Sequence, residues 1–172
     1  MKRIVVIGNG GAGKSTFSRK LAEIMGIPLY HLDAYFWNPG WVSTKRPEWQ
    51  AFLTDLLQRD AWIIDGNYSS TLDLRLQYAD TVIFLDMPAP RCLLRVVKRR
   101  WMYRGKTRPD MREGCPEKLD AEFVRFVWGY DRRERPGVLR KLAALPADKA
   151  VVILRGSRAA ARYLEEVRAA GK

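Results

Sequence analysis

Gly8-Asn9-Gly10-Gly11-Ala12-Gly13-Lys14-Ser15 decides how the rest of the chain is read. It meets G-x-x-x-x-G-K-[ST] at every fixed position. Before it, Ile4-Val5-Val6-Ile7 is a continuous, β-branched apolar run, the pattern of a buried parallel strand. After it, Phe17, Leu21, Ile24 and Met25 recur at helical spacing, so the pattern predicts a helix over 14–25 that stops near Gly26. A glycine-rich turn between strand and helix lets backbone N–H groups converge on an anion. The helix N-terminus adds its partial positive charge. Lys14 then reaches the β- and γ-phosphates of a nucleoside triphosphate, and the Ser15 hydroxyl can ligate Mg²⁺. Gly8, Gly10, Gly11, Ala12, Gly13, Lys14, Ser15 and Thr16 form the expected binding set, with ATP and Mg²⁺ as its cofactors.

Downstream the same alternation continues. Pro28–Leu32, Trp62-Ile63-Ile64, Thr81–Leu85 and Ala150–Leu154 read as four more strands. Helices are expected around Trp49–Leu57, 70–78, 90–103 and 158–170. A further helix starts near Leu119, and Pro136 should interrupt it. Residues 34–45, with Tyr35, Phe36, Trp37, Trp41 and the Pro39-Gly40 turn, read as loop. Alternating strands and helices imply right-handed crossovers and a parallel sheet covered on both faces, a three-layer α/β/α architecture.

The 172 residues suit a single domain. The opening apolar run is too short for a signal peptide, so a cytoplasmic chain that does not enter a membrane is expected. Cys92 and Cys115 can supply neither a disulfide framework nor a four-thiolate zinc site. Net charge is +12, unevenly spread. Residues 1–90 are neutral overall, residues 91–140 carry +8 and residues 141–172 carry +4. A basic patch of that kind suits nucleotide phosphates or a nucleic-acid backbone.

Carboxylates at strand ends are the other candidates. Asp33 follows the second strand, where open α/β sheets bind ligands. It could take the proton of an acceptor hydroxyl, or simply make a turn. His31 beside it reads more readily as a packed residue than as a base. Asp65 ends the third strand and could hold Mg²⁺ through water. Asp86 ends the fourth and competes for that role, with Asp65 preferred because glycine follows it. Tyr35, Phe36, Trp37 and Trp41 could stack a flat acceptor or fill core. Asn67, Tyr68 and Arg75 should border the acceptor, with Arg75 as a phosphate clamp or a solvated charge. Arg95, Arg99, Arg104 and Arg108 are candidates for stabilising a phosphoryl group in transfer. Arg125 and Arg132 could close from the opposite side. Residues 100–118, rich in glycine, proline and arginine and poor in aliphatics, are expected to form a mobile lid.

These stretches resemble a known group. The P-loop (Walker A) motif, His31-Leu32-Asp33, Trp37-Asn38-Pro39-Gly40-Trp41, Trp62 to Tyr68, Arg75 and Arg104 to Pro109 are similar to the nucleoside/nucleotide kinases of the P-loop NTPase fold. Adenylate-kinase-like bacterial proteins named for DNA topology modulation are the most similar, over roughly the first 135 residues. The resemblance implies five parallel strands ordered 2-3-1-4-5 and a lid closing over ATP. It implies a Mg·ATP-dependent transferase, a kinase. Lys14, Asp33, Arg99, Arg104 and Arg108 would be catalytic. Asp33, Tyr35, Trp37, Asn67, Tyr68 and Arg75 would contact the acceptor, and Ser15 and Asp65 the metal. Asp33-Ala34-Tyr35-Phe36 is also similar to the acceptor motif of uridine-kinase-like enzymes, where the aspartate serves a hydroxyl. The competing expectation is a nucleotide-regulated protein associated with nucleic acid.

Overall fold

A computed structural model describes residues 1–171. Its strands are β1 (Arg3–Gly8), β2 (Leu29–His31), β3 (Trp37–Asn38), β4 (Val42–Ser43), β5 (Trp62–Asp65), β6 (Thr81–Asp86) and β7 (Ala150–Arg155). Its helices are α1 (Lys14–Met25), α2 (Leu32–Phe36), α3 (Arg46–Gln58), α4 (Ser69–Tyr78), α5 (Ala89–Met102), α6 (Ala121–Arg133), α7 (Arg135–Ala143) and α8 (Ser157–Ala170). Five strands form one parallel sheet in the order β2-β5-β1-β6-β7. Counted among themselves they run 2-3-1-4-5, the expected order. The numbering shifts only because a small antiparallel ribbon, β3-β4, intervenes.

Strand alternation builds two cores. Val5, Ile7, Trp62, Ile64, Val82 and Phe84 face one side, against Leu53, Leu56 and Leu57 of α3, Leu72 and Leu76 of α4 and Leu142 of α7. Ile4, Val6, Ile63, Ile83 and Leu85 face the other, against Phe17 and Leu21 of α1, Cys92 and Val96 of α5 and Leu164 of α8. Successive side chains on a strand point to opposite faces, which is why the central strands are apolar without interruption. Truncating Leu53 or Leu56, both fully buried, to Ala would cost about 2–5 kcal/mol.

The segment expected as loop at 34–45 carries α2, the β3-β4 ribbon and a 3-10 turn at Pro39–Trp41. Its aromatics drive this. Phe36 lies edge-on to Trp37 and Trp49, 5.0 and 5.1 Å between centroids. Tyr35 stacks on Phe52 of α3 at 4.6 Å. At the other end of the chain the break comes where Pro136 requires it, with α6 ending at Arg133 and α7 beginning at Arg135.

Candidate active site

A cleft of about 1000 Å³ lies at the carboxyl ends of the parallel strands, with Asp65 of β5 and Leu85 of β6 in its lining. Gly10 to Thr16 line it as well, directly after Gly8 at the end of β1. Two glycines there are dictated by geometry. Gly13 caps α1 at φ 96°, a left-handed conformation that side chains disfavour. Gly11, at φ 79°, would place a Cβ 2.4 Å from the Cys92 carbonyl oxygen. The turn therefore sits directly on α5. Lys14 Nζ donates to the carbonyls of Gly8 and Asn9 at 2.9 and 3.0 Å, folded back over its own loop. Burial lowers its pKa, while Asp33 and Asp65 oppose the shift. Those two carboxylates are thus its electrostatic neighbours.

Asp65 ends β5 and is almost fully buried. His31 Nδ1 contacts both of its oxygens at 3.0 Å. Burial disfavours the imidazolium, but the Asp65 hydrogen bond and the charges of Asp65 and Asp110 together outweigh it, and the His31 pKa lies above its ordinary value. His31 is thereby a positioning partner for the carboxylate. Asp86, the rival for that role, is held by Arg135 with two bonds of 2.8 and 2.9 Å and does not line the cleft.

Asp33, in the first turn of α2, accepts a 2.7 Å bond from the Tyr68 hydroxyl. Burial and Asp33 push the Tyr68 phenol pKa up, so it remains a donor. Tyr68 sits at φ 24°, strained for a residue with a side chain. Arg75 explains how the strain is held. Its guanidinium donates to the carbonyls of Gly66, Asn67 and Tyr68 at 3.0, 2.7 and 3.1 Å. The Asn67 side chain, aligned by the same clamp, accepts from the Gly8 N–H at 3.1 Å.

Arg75 corrects the sequence expectation. It is fully buried, its pKa lowered by burial to about 10, and it fastens backbone where a phosphate clamp or a solvated charge was anticipated. Tyr35 does not reach the cleft either, being spent on Phe52. Trp37, Trp41, Asn67 and Tyr68 do line it.

The basic side divides similarly. Arg95 lines the cleft but is engaged with the Ala12 carbonyl at 3.0 Å and the Ser157 hydroxyl at 2.8 Å. Arg99 and Arg108 line it together. Arg104, Arg125 and Arg132 are exposed and stand outside it. Residues 100–102 are still helix, so the lid segment proper is 103–120. It is better anchored than its composition suggests. Met111 and Cys115 are buried. The Cys115 thiol meets the Asn38 carbonyl at 3.2 Å, the Gly40 N–H donates to Gly114 O at 2.8 Å, and the Trp41 indole donates to Pro116 O at 3.0 Å. The segment is folded down on the β3-β4 ribbon.

Two lid carboxylates that the sequence reading passed over hold the arginines. Glu117, 3% exposed, bonds Arg99 Nε at 2.7 Å and lies 2.7 Å from Arg108 Nε. Asp110, also buried, pairs with Arg108 at 3.0 Å. Burial would raise the Asp110 pKa, but Arg108 and the Ser15 hydroxyl bring it below its ordinary value. Burial and Arg108 in turn lower that of Arg99, against Glu117. Only their charge in an aliphatic-poor, Arg-rich stretch could have flagged these two residues.

Mg²⁺ fits this donor set. Among the described residues no three His, Cys, Asp or Glu side chains cluster tightly enough to hold a metal alone. Mg²⁺ is ordinarily bound by one or two protein groups plus substrate phosphates and water, and Ser15 with Asp65 are the groups here that could serve.

In fold the chain is similar to solved kinases. The shikimate kinase from Acinetobacter baumannii in complex with shikimate superposes with a TM-score of 0.58 at 22% identity, over 97% of this chain and 90% of that one. A gluconokinase from Sinorhizobium meliloti 1021 gives 0.53 at 19%, over 99% and 91%. The shikimate kinase from Bacteroides thetaiotaomicron gives 0.53 at 17%, over 98% and 97%. No protein-family model matches the sequence, and no curated protein matches it. At such identities the likeness is one of architecture. The chain has the P-loop kinase fold.

Proposed function

We propose that this is a Mg·ATP-dependent phosphotransferase that moves the γ-phosphoryl group to a small acceptor: a nucleoside, a nucleoside monophosphate or another hydroxylated metabolite. The carrying observation is convergence: Lys14, Asp33 and Asp65 meet at the mouth of the phosphate-binding turn, under Arg99 and Arg108. Lys14 neutralises the β- and γ-phosphates. Ser15 and Asp65 would hold Mg²⁺, which when bound would supply positive charge beside the phosphates. Asp33 orients the acceptor hydroxyl and takes its proton. Arg99 and Arg108 exchange their carboxylate partners for the transferring group. A single-domain cytoplasmic enzyme is part of the same reading, by the adenylate-kinase-like resemblance; among the described residues no helix is long and apolar enough to cross a membrane. The test is acceptor-stimulated ADP release across nucleosides, nucleotides and sugars. Normal turnover in a folded Lys14→Ala variant would sink the assignment.

One observation favours the second reading, a nucleotide-regulated protein that associates with nucleic acid and affects DNA topology. Trp101 and Trp128 are 80% and 60% exposed on α5 and α6, which also expose Arg91, Lys98, Arg125 and Arg132. That reading expects DNA affinity to fall with salt at a slope of about −0.9 per phosphate neutralised.

A further inference from the structure

The acceptor end of the cleft carries Asp33 and Asp65, and among the described residues its buried arginines are all engaged. Resting on the phosphotransferase reading above, we infer that the acceptor is an uncharged, hydroxyl-bearing molecule with a flat ring, and not a phosphorylated or carboxylated one.

Arg99 and Arg108 line this end, Arg75 is buried behind it, and each has an occupation. Arg75 has no exposed surface and spends its donors on three backbone carbonyls. Arg99 is bonded to Glu117. Arg108 lies between Glu117 and Asp110. When ATP enters, Arg99 and Arg108 turn to the γ-phosphoryl group, which already claims them. Lys118 remains at the rim, its side chain about half exposed, 4.8 Å over the Trp41 ring and 3.6 Å from Asp120. A cation so open to water holds an anion weakly. Arg19 of α1 is likewise exposed at the cleft mouth.

An anionic acceptor would meet the opposite field. Asp33 and Asp65 are both close enough to influence Lys14. With Asp65 committed to the metal side, Asp33 is the charge an anionic acceptor would face, and a phosphate or carboxylate beside it would have to be desolvated with no unpaired buried cation to receive it, which is costly. An uncharged hydroxyl meets none of this. The Asp33 carboxylate accepts its hydrogen bond, and the Tyr68 hydroxyl fixes the carboxylate in place from the other side. Trp37, held edge-on by Phe36 and Trp41 at 5.0 and 5.6 Å, offers a rigid ring to the same space. The step then balances simply. The hydroxyl oxygen attacks the γ-phosphorus and forms the new O–P bond. The bond from that phosphorus to the β,γ-bridging oxygen breaks, its electron pair leaves with ADP, and the hydroxyl proton passes to Asp33.

The experiment compares the purified full chain on Mg·ATP with adenosine, cytidine, guanosine, uridine and thymidine, with their 5′-monophosphates, and with shikimate and gluconate. ADP release and the phosphorylated product are measured. At least one nucleoside should raise ADP release tenfold or more, with its monophosphate at least tenfold poorer in kcat/KM. Trp37→Ala should raise KM for that nucleoside more than it lowers kcat. A monophosphate, shikimate or gluconate used as well or better overturns the inference, and so does a panel in which no nucleoside is phosphorylated. Calorimetry with a non-hydrolysable ATP analogue separates the two levels. If the analogue binds and an anionic acceptor is phosphorylated, the phosphotransferase reading survives and the uncharged acceptor does not. If the analogue fails to bind, both fall.

Discussion

On the phosphotransferase reading two regions of this molecule hold phosphate, and they do it by opposite means. In the turn at 8–15 the binding groups are backbone N–H groups, fixed by glycines that a side chain would displace, such as Gly11 against the Cys92 carbonyl. In the lid segment the binding groups are arginine side chains, and what fixes them is the pair of buried carboxylates Glu117 and Asp110. The first region keeps its backbone geometry when ATP arrives, and the Lys14 ammonium alone has to leave the Gly8 and Asn9 carbonyls. The second must break ion pairs to engage. Preorganised donors act without reorganisation at the moment of reaction, so the turn should carry the larger share of the rate and the lid the smaller.

The comparison is broken most directly at Lys14. Lys14→Ala removes the point charge on the transferring phosphates and should lower ATP turnover by about 10³ or more. ADP release from a variant with unchanged circular dichroism is the measurement. Asp33→Asn comes next. A lost general base lowers transfer by about 10²–10⁴, while affinity for an ATP analogue stays near that of the parent. Asp65→Asn should instead move the Mg²⁺ concentration that gives half-maximal activity. Identical behaviour of the two variants, confined to stability, would remove the distinction between acceptor side and metal side.

Arg75 tests a different kind of rigidity. Arg75→Met leaves three carbonyls without their donor, and each buried polar group so stranded costs about 1–3 kcal/mol. A stability loss of about 3 kcal/mol or more in denaturant unfolding is expected. Arg75→Lys should not restore it, since one ammonium cannot span the fork of three acceptors. Wild-type stability with a raised acceptor KM would return Arg75 to the role of a substrate clamp.

What could be read from the residues follows the same division. The strands, the turn and the strand-end positions of Asp33 and Asp65 are legible because period and spacing encode them locally, whereas the sheet order rests on the resemblance to P-loop kinases, since no local pattern encodes which strands pair. The role of Arg75 is not legible, because its three partners are carbonyls, which no side-chain pattern reveals. Residues 34–45 read as loop for a similar reason: five-residue α2 and the two-residue strands of the ribbon are shorter than any period, and the packing of Phe36 on Trp49 from another helix holds them. Glu117 and Asp110 lie in a stretch whose order comes from contacts with Arg99, Ser15 and the ribbon. All of these are distant in sequence.

The smallest expected effect is in the lid, and it separates the arginines that the sequence grouped together. Arg108 lies in the cleft and Arg104 outside it, so Arg108→Ala should lower turnover by about 10², whereas Arg104→Ala, an exposed change, should alter it about twofold or less. Glu117→Gln takes away the charge that ties Arg99 to Arg108. With that carboxylate gone, the two guanidiniums repel in a poorly solvated place, and the segment should open more often. Hydrogen exchange reports opening of this kind residue by residue. Amides in 103–120 of Glu117→Gln should exchange faster than in the parent while β1 and β6 are unchanged. An ATP analogue should restore much of the protection, because its phosphates supply the negative charge that Glu117 supplied. If the analogue protects neither variant nor parent, and DNA alone slows exchange across this segment, then the basic half answers to nucleic acid, and the two regions do not act on one phosphate.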